Sequence, residues 1–415
     1  MKRSTVRLKQ KKGGEHMVLI RKRRAVAILL LCTIFISGCW DRKEINDIAF
    51  VIGLAIDKEE DNFRTSLQIA LPGQSGSSGS EGGGGGTSGD KSWFMLSTTA
   101  KTLRGTSIEG QKALSRELYY AHRRTMLIGE ELAREGVAPM LDLLTRYPLN
   151  RLSALPIVTK GSAYKVLDTD APIEKFPSEM VRELCFLNMR RPRSLKTFTD
   201  AILSEGVDPF LPVASTADNV PSNWKDVKTN IKLDGIAIFK KDKLVGMIEK
   251  APADALILAM GEANEPEVMV KAPRGKGDVF IKLNENNSSL HPHVENGKVT
   301  VTIELYAKGV MVDNESNYGD LRDQEMQSLT QALHQKIGDD IKEGIRLIQK
   351  QYPADILGLG RSIHQQLPRE WKKMRDRWDD IYPDVKVIIE PHIIIENVGV
   401  INKPIGLQEE DIVHD

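Results

Sequence analysis

The alternation of apolar and polar residues predicts a β-hairpin early in the chain. Residues 51–56 are apolar, a charged turn follows, and the later part of residues 63–71 alternates with the period of two that a half-buried strand shows. Another strand-like run, residues 93–100, follows the segment 73–90, which holds nine Gly and five Ser. Such a composition buries little apolar area, so we interpret 73–90 as a loop inserted within a domain, with a ligand lid as the alternative.

Helical and strand-like spacings alternate in the next part of the chain. The pattern predicts a helix from Thr106, a short buried strand at residues 125–129 and a further helix from Glu130. Prolines are then frequent between residues 172 and 221, which favours an inter-domain connection that ends near Asn230.

The second half begins with another predicted hairpin, formed by residues 235–239 and 244–248. Residues 320–351 carry apolar side chains at spacings of three or four, which predicts a long amphipathic helix with a core-facing stripe. After Pro383, two strand-like runs separated by Glu390 and Pro391 are expected to close the sheet. The remaining strand candidates are residues 268–270, 279–283 and 299–306.

Strands followed by helices and again by strands predict a multidomain α+β protein, with mixed or antiparallel sheets and packed helices. We place an N-terminal mixed α/β region, of one or two modules, at residues 39–225 and a C-terminal α+β domain at residues 226–415.

The first 38 residues have the pattern of a secretory signal. Four basic residues, 21–24, precede thirteen largely apolar residues, 25–37. A helix of that length covers about 20 Å, which is short of the ~30 Å hydrocarbon core of a bilayer. We therefore expect residues 1–38 to be a signal peptide, with translation starting at Met1 or at Met17.

Cys39 follows this segment directly, and residues 36–39 resemble the lipobox of bacterial lipoproteins. In those proteins the cysteine thiol receives a diacylglyceryl group and becomes the new N-terminus. Two acyl chains hold a protein stably at a membrane, whereas one chain holds it only marginally. We therefore expect Cys39 to be a covalent lipid anchor and membrane lipid to be a partner.

Charge and cysteine content change once this segment is removed. Residues 1–38 contain ten Lys/Arg and one Glu, so the net charge falls from +1 to −8, which disfavours a nucleic-acid partner. Cys32 leaves with the signal, and Cys185 then has no cysteine with which to form a disulfide. No later segment approaches 18 consecutive apolar residues, so we expect no transmembrane helix in the mature chain.

The sequence gives no positive sign of catalysis, of a metal site or of a cofactor other than the lipid. G-x-S-x-G, H-E-x-x-H, the P-loop and C-x-x-C are absent. His291 and His293 lack a third ligand at metal-site spacing and are interpreted as a loop feature. Residues 358–361 resemble part of a dinucleotide fingerprint without its preceding strand, so we interpret them as a turn. The basic residues 190–193 are interpreted as a solvated turn rather than a lipid contact.

Four blocks of sequence, in order, resemble the Ger(x)C family, the lipoprotein C subunits of spore germinant receptors. The first block is the cysteine followed by a Trp-Asp-x-x-Glu-Ile run, and the others are distributed over nearly the whole remaining chain. The blocks are residues 38–47 with 51–57; residues 128–133 with 143–146 and Arg151; residues 234–239 with 244–246; and Gln351, residues 355–360, Trp371 and Trp378.

The resemblance implies a function that the residue patterns do not. It implies a lipid-anchored, non-catalytic subunit that assembles with two integral membrane subunits, the A-type and B-type germination proteins, into a receptor for nutrients. It also implies a location at the inner spore membrane, on the face away from the spore core, and three mixed α/β modules. A solute-binding lipoprotein that serves a membrane transporter is the alternative, and a cell-wall hydrolase is a third reading.

Residues near the anchor have a physical interpretation. Trp40, Asp41 and Glu44 lie within five residues of Cys39. An amphipathic Trp ring suits the membrane interface, although Trp40 packed on the body is an equal alternative. The polar residues after it would set the distance between the membrane and the first strand.

Residues of the last block are structural or partner-binding candidates. Asp355 is expected to hold the turn at Gly358 and Gly360 through side-chain-to-backbone hydrogen bonds. Trp371 and Trp378 are seven residues apart and share one face if their helix is continuous. We expect both rings to pin that helix to the sheet, with a partner hot spot as the alternative.

Overall fold

The computed structural model describes residues 21–24, 26, 44–71, 92–146, 150–171, 173–218, 229–274, 276–317 and 323–397. The predictions for Cys39, Trp40, Asp41 and the loop 73–90 fall outside these residues. The chain divides into two units, Met1–Ile48 and Ala49–Asp415. In the first unit, residues 21–24 are helical and Ile45–Asp47 form a 3₁₀ turn.

The strands and helices have the following bounds. The strands are β1 (Ile48–Glu59), β2 (Asn62–Ala70), β3 (Trp93–Ala100), β4 (Glu117–Tyr119), β5 (Thr125–Gly129), β6 (Leu155–Thr159), β7 (Phe210–Asp218), β8 (Thr229–Lys240), β9 (Lys243–Glu249), β10 (Glu267–Lys271), β11 (Asp278–Glu295), β12 (Lys298–Asn314) and β13 (Lys386–Asn397). The helices are α1 (Leu103–Lys112), α2 (Glu130–Glu135), α3 (Ala138–Arg146), α4 (Ala163–Leu167), α5 (Pro177–Asn188), α6 (Leu195–Leu203), α7 (Lys250–Ala259), α8 (Asp323–Arg346), α9 (Leu359–Gln366), α10 (Pro368–Met374) and α11 (Trp378–Ile381).

The first sheet is mixed, in the order β3-β2-β1-β5-β6-β7-β8-β9, with β4 paired to β1. Its middle strands β1, β5, β6 and β7 are parallel, and antiparallel hairpins extend it on both sides. Parallel strands are usually buried on both faces of their sheet. Strand β5 is buried in this way, because Met126 and Ile128 pack in one apolar cluster and Leu127 packs in another. Helices α1, α2, α3 and α6 cover the first face, and α4 and α5 cover the second.

The second sheet has the order β10-β11-β12-β13 and is also mixed, because only β12 and β13 are parallel. Helix α8 packs on it through the predicted stripe, in which Leu329, Leu333, Ile337 and Ile341 are buried. The helix continues as a π-turn over Leu347–Gln351. The same apolar cluster includes Ile236, Ile238 and Ile248 from β8 and β9, so the core around α7 and α8 reaches the first sheet.

The predicted α+β class, with mixed sheets and packed helices, is confirmed. None of the helices within the described ranges combines the length and the apolar character that crossing a membrane requires. The predicted division at residues 225 and 226 stays a prediction. The first sheet itself extends beyond that point, since β8 and β9 are its last two strands.

The proline-rich part holds α5, α6 and β7, and Pro177 occupies the first turn of α5, where its missing N–H is harmless. The inter-domain connection expected to end near Asn230 stays a prediction. Two local expectations are wrong. Pro391 does not divide the last segment, since β13 is one strand paired along its length with β12. His291 and His293 lie in β11, on its exposed face, and not in a loop.

Candidate functional site

Asp355 is the centre of a buried polar junction. Its carboxylate accepts hydrogen bonds from the backbone N–H groups of Leu359 and Gly360, both at 2.8 Å, and from Trp378 Nε1–H at 3.1 Å. Gly358 has a left-handed backbone, with φ of 72°, which lets the chain turn into α9. Asp355 therefore holds this turn through the side-chain-to-backbone contacts that its position predicts, and only 1% of the residue is exposed.

A second carboxylate connects this turn to the first sheet. Asp208 Oδ2 accepts hydrogen bonds from the Asp355 N–H, at 2.8 Å, and from Lys240 Nζ, at 2.9 Å. The Asp208 N–H in turn donates to the Asp355 carbonyl oxygen at 2.9 Å. Lys240 ends β8 and also contacts Asp379, with its Nζ 2.6 Å from Oδ1. We call Asp208, Lys240, Asp355, Trp378 and the two glycines described next the Asp355 junction.

Two glycines let the backbones approach closely in the Asp355 junction. A Cβ added at Gly360 would lie 2.7 Å from Gly206 Cα and 2.7 Å from the Trp378 ring. A Cβ added at Gly206, whose φ is 71°, would lie 2.5 Å from the Gly360 carbonyl carbon. Between them the Arg361 N–H donates to the Gly206 oxygen at 2.6 Å. The loop before β7 and the start of α9 therefore fit together without room for side chains.

Burial dominates the electrostatics of the Asp355 junction. Loss of hydration raises the pKa of Asp355 to about 7, against the opposing effect of its N–H donors. Burial also disfavours the charge of Lys240, but the carboxylates of Asp379 and Asp208 outweigh it and raise the pKa of that amine. Lys240 therefore stays charged at neutral pH, and its ion pairs link β8 to the loop before β7 and to α11.

Trp371 and Trp378 are brought together, but not on one helix. Helix α10 ends at Met374, a 3₁₀ turn covers Arg375–Arg377, and α11 begins at Trp378. The condition for a shared helix face, a continuous helix from Trp371 to Trp378, is therefore not met. The two rings are nearly edge to face, with centroids 5.4 Å apart, and each residue is at most 6% exposed. They occupy the core in this chain, whereas a partner hot spot requires an accessible ring.

A cleft of about 470 Å³ lies beside the Asp355 junction. Its charged side chains include Arg193, Asp200, Asp208, Glu262 and Arg361. Arg193 pairs with Glu262 at 2.9 Å, and Arg361 lies 3.9 Å from Asp200. The charges therefore largely neutralise one another. Within the described ranges there is no group of three or more His, Cys, Asp or Glu side chains that could hold a metal ion.

Comparisons with known proteins identify the family. Residues 41–216 match the profile described as "Spore germination protein N-terminal domain", and residues 234–399 match "Spore germination B3/ GerAC like, C-terminal". The "Putative spore germination protein YfkR" of Bacillus subtilis (strain 168) is 40% identical over 92% of this chain and 98% of its own length. This chain belongs to the Ger(x)C family.

Further comparisons extend over the same length. Spore germination protein KC of Bacillus subtilis (strain 168) is 27% identical over 95% of this chain and 100% of its own. The crystal structure of the GerBC protein superposes with a TM-score of 0.53 and 20% identity, covering 86% of this chain and 100% of that one. At this identity the match shows that the two chains share a fold.

The two Ger(x)C profiles meet inside one sheet. The first ends in β7 and the second begins in β8, and these strands are antiparallel neighbours. The Asp355 junction joins the same two regions a second time, because Asp208 lies in the first profile and Asp355 in the second. In this Ger(x)C chain the junction therefore fixes the N-terminal region against the C-terminal one.

Sequence reasoning missed a second buried carboxylate of this Ger(x)C chain. Asp57, which is 5% exposed, accepts hydrogen bonds from the N–H groups of Ala163, at 2.6 Å, and Tyr164, at 2.9 Å. These are the first two residues of α4, so Asp57 caps that helix from another part of the chain. Burial raises the pKa of Asp57, against these N–H donors. In the sequence, the position of Asp57 directly after the apolar run 51–56 was the signal that could have identified it.

The interpretation of residues 190–193 as a solvated turn holds only in part: Arg190 and Arg191 are exposed at a bend, whereas Arg193 is half-buried. Arg190 Nη2 donates to the Gly261 oxygen at 2.5 Å and to Asn286 Oδ1 at 2.8 Å. Arg193 pairs with Glu262 and covers the Phe210 ring, with its guanidinium carbon 4.4 Å from the ring centroid. These arginines bind partners far away in sequence, and no local pattern marks such contacts.

The anchor-proximal candidates are only partly within the described residues of this Ger(x)C chain. Glu44 is exposed, and its carbonyl oxygen accepts the Asp47 N–H at 3.0 Å, which closes the 3₁₀ turn before β1. Cys39, Trp40 and Asp41 stay predictions.

Proposed function

We propose that this chain is a lipid-anchored, non-catalytic subunit of a spore germinant receptor, required for assembly or signalling of the receptor during germination. The observation that carries the proposal is the position of Cys39. It ends a signal-like segment, within a lipobox-like sequence, two residues before the family match begins at residue 41. A diacylglyceryl group on Cys39 would hold the chain stably at a membrane.

The absence of a catalytic role is supported by how the buried acids are used. Asp57 and Asp355 both accept backbone N–H groups with both carboxylate oxygens, so each positions a helix start. The charged side chains of the 470 Å³ cleft are engaged in ion pairs, Arg193 with Glu262 and Arg361 with Asp200 inside the cleft and Asp208 with Lys240 outside it. Such an arrangement suits a body that holds a fixed shape for its partners.

The partners follow from the family. Two integral membrane subunits, the A-type and B-type germination proteins, together with membrane lipid, would form the assembly. The location is the inner spore membrane, on the face away from the spore core. A net charge of −8 without residues 1–38 speaks against nucleic acid as a partner.

The decisive experiment replaces Cys39 by Ala in a spore-forming host, with Cys32→Ala as the matched control inside the signal-like segment. Membrane fractionation of this protein and of both proposed partners is measured together with the response of the spores to nutrients and to non-nutrient triggers. We expect Cys39→Ala to release the protein and to impair only the nutrient response, while Cys32→Ala behaves as wild type. Unchanged fractionation and germination in Cys39→Ala spores would refute the anchored-subunit proposal.

A solute-binding lipoprotein that serves a transporter is the second candidate, favoured by the 470 Å³ cleft. That function predicts that deletion of the gene impairs uptake of a small molecule by growing cells. A deletion strain with normal uptake and impaired germination by nutrients would exclude it.

A further inference from the structure

A small pocket of about 50 Å³ lies under the first sheet, away from the Asp355 junction. It is bounded by β1 and β2, by helices α1 and α3, and by the turn that carries Tyr120 and Arg123. One part of its wall is apolar, formed by Leu54, Ile56, Leu103, Met140, Leu143 and Leu144. The remaining described lining is polar or basic and consists of Thr65, Arg104, Ser107, Tyr120, Arg123 and Asn150.

Arg123 is the unusual residue of this pocket. It is 1% exposed, although arginine is almost never fully buried unless it is paired. Within the part of the chain that the structure describes, its Nε and Nη2 atoms are buried and have no hydrogen-bond partner. Buried polar groups of native proteins are nearly always hydrogen-bonded, so two unused donors on one buried side chain point to a ligand.

The two unused donors define what that partner is. Nε–H and Nη2–H lie along one edge of the planar guanidinium and point in parallel, which is the geometry that binds both oxygens of one carboxylate. Lysine cannot make this contact, because its ammonium is a point charge.

The described lining of the pocket offers no acidic side chain to compensate the charge of Arg123, since none of its residues is Asp or Glu. Burial lowers the pKa of Arg123 to about 10, so the guanidinium is still charged at neutral pH. A buried cation without an acidic neighbour favours the entry of an anion.

The size of the pocket limits the anion. A water molecule needs roughly 10–15 Å³ of such space, so about 50 Å³ accommodates a ligand of about three to five non-hydrogen atoms. We propose that this pocket binds a small carboxylate, with both oxygens on Nε and Nη2 of Arg123 and its short aliphatic part against Leu54 and Met140. The proposal does not depend on the lipid anchor or on the receptor function.

The test uses the full chain in detergent, with sodium acetate as the probe. Thermal unfolding is followed at increasing acetate and constant ionic strength, with chloride as the balancing anion. We expect a saturable rise of the unfolding temperature with acetate in wild type. Arg124→Met, a substitution at the exposed neighbouring arginine, should keep this response. Arg123→Lys should bind acetate at least about tenfold more weakly, because the bidentate edge is lost, and Arg123→Met should not respond.

Three results would overturn the proposal. The first is a folded wild-type protein whose unfolding temperature does not change with acetate, which would mean that water fills the pocket. The second is equal protection by chloride alone, which would exclude bidentate recognition. The third is an unchanged acetate response in Arg123→Met. If that variant fails to fold, saturation-transfer NMR of acetate with wild type and Arg123→Lys decides the question, and equal transfer to both proteins refutes the assignment.

Discussion

Gly360→Ala is a sharp test of the Asp355 junction. The new methyl group would lie 2.7 Å from Gly206 Cα and equally close to the buried Trp378 ring. One neighbour is backbone and the other is a ring held by its bond to Asp355, so neither can move away alone. The substitution should therefore separate the start of α9 from the loop before β7.

The magnitude follows from three contributions. Overpacking of a tight core contact costs about 1–3 kcal/mol. Separation also removes the Arg361–Gly206 and Trp378–Asp355 hydrogen bonds, which contribute about 1 kcal/mol each. Alanine has a helix propensity up to about 1 kcal/mol better than glycine, which offsets part of this loss. We expect Gly360→Ala to lower the free energy of unfolding by about 2–4 kcal/mol.

The assay is urea unfolding of the full chain in detergent, followed by tryptophan fluorescence, since Trp378 lies beside Gly360 and Trp371 packs on Trp378. Gly338→Ala is the matched control. It lies within α8, and an added Cβ there meets nothing within 4 Å, so this variant should be stabilised by up to about 1 kcal/mol. A Gly360→Ala protein that gains stability as Gly338→Ala does would refute the close approach described here.

Two further predictions concern buried titratable groups. Burial raises the pKa of Asp355 from 3.8 to about 7, so its protonated form stabilises the folded chain below about pH 4, and this contribution disappears as the pH rises to about 7. The stability of wild type relative to Asp355→Asn should therefore fall by about 4 kcal/mol over that interval in urea titrations, and a constant difference would contradict it. Burial also raises the pKa of the Cys185 thiol to about 12, so very little of the reactive thiolate is present in the folded chain at pH 8. Alkylation of Cys185 by iodoacetamide, followed by peptide mapping, should therefore be about 10³-fold slower in the folded chain than after unfolding. Rapid labelling of the folded chain would disprove this.

Elements with a strong local period could be predicted from the sequence. The hairpin of β1 and β2, the buried strand β5, the helix from Glu130 and the stripe of α8 all follow from apolar spacing, because each buries one face or both faces on a nearby layer. The contacts of Asp355 within its turn were predictable for a similar reason, since the N–H donors of Leu359 and Gly360 are only four and five residues after the carboxylate that accepts them.

Contacts between distant segments could not be predicted. Asp208 and Asp355 are 147 residues apart, and Arg190 and Asn286 are 96 apart. Asp and Arg are common on a chain with 28% charged residues, so the sequence does not show which of them meet. The folded backbone decides which residues form each pair. Pro391 predicts a break because a proline usually interrupts a strand. It is tolerated in β13 because, among the strands that the structure describes, β13 is at the edge of the second sheet, where a missing N–H costs no ladder hydrogen bond on the open side.

The position of β1 has a mechanical consequence. This first strand is not at an edge of its sheet, because it pairs with β2 on one side and with β5 on the other. The hydrogen bonds of a sheet run across the strands, so a pull along the axis of β1 would load the bonds of both ladders together in shear. A strand at the edge would resist the same pull with one ladder. If the chain is held by its N-terminal end, tension would therefore reach the interior strands of the first sheet before that sheet comes apart.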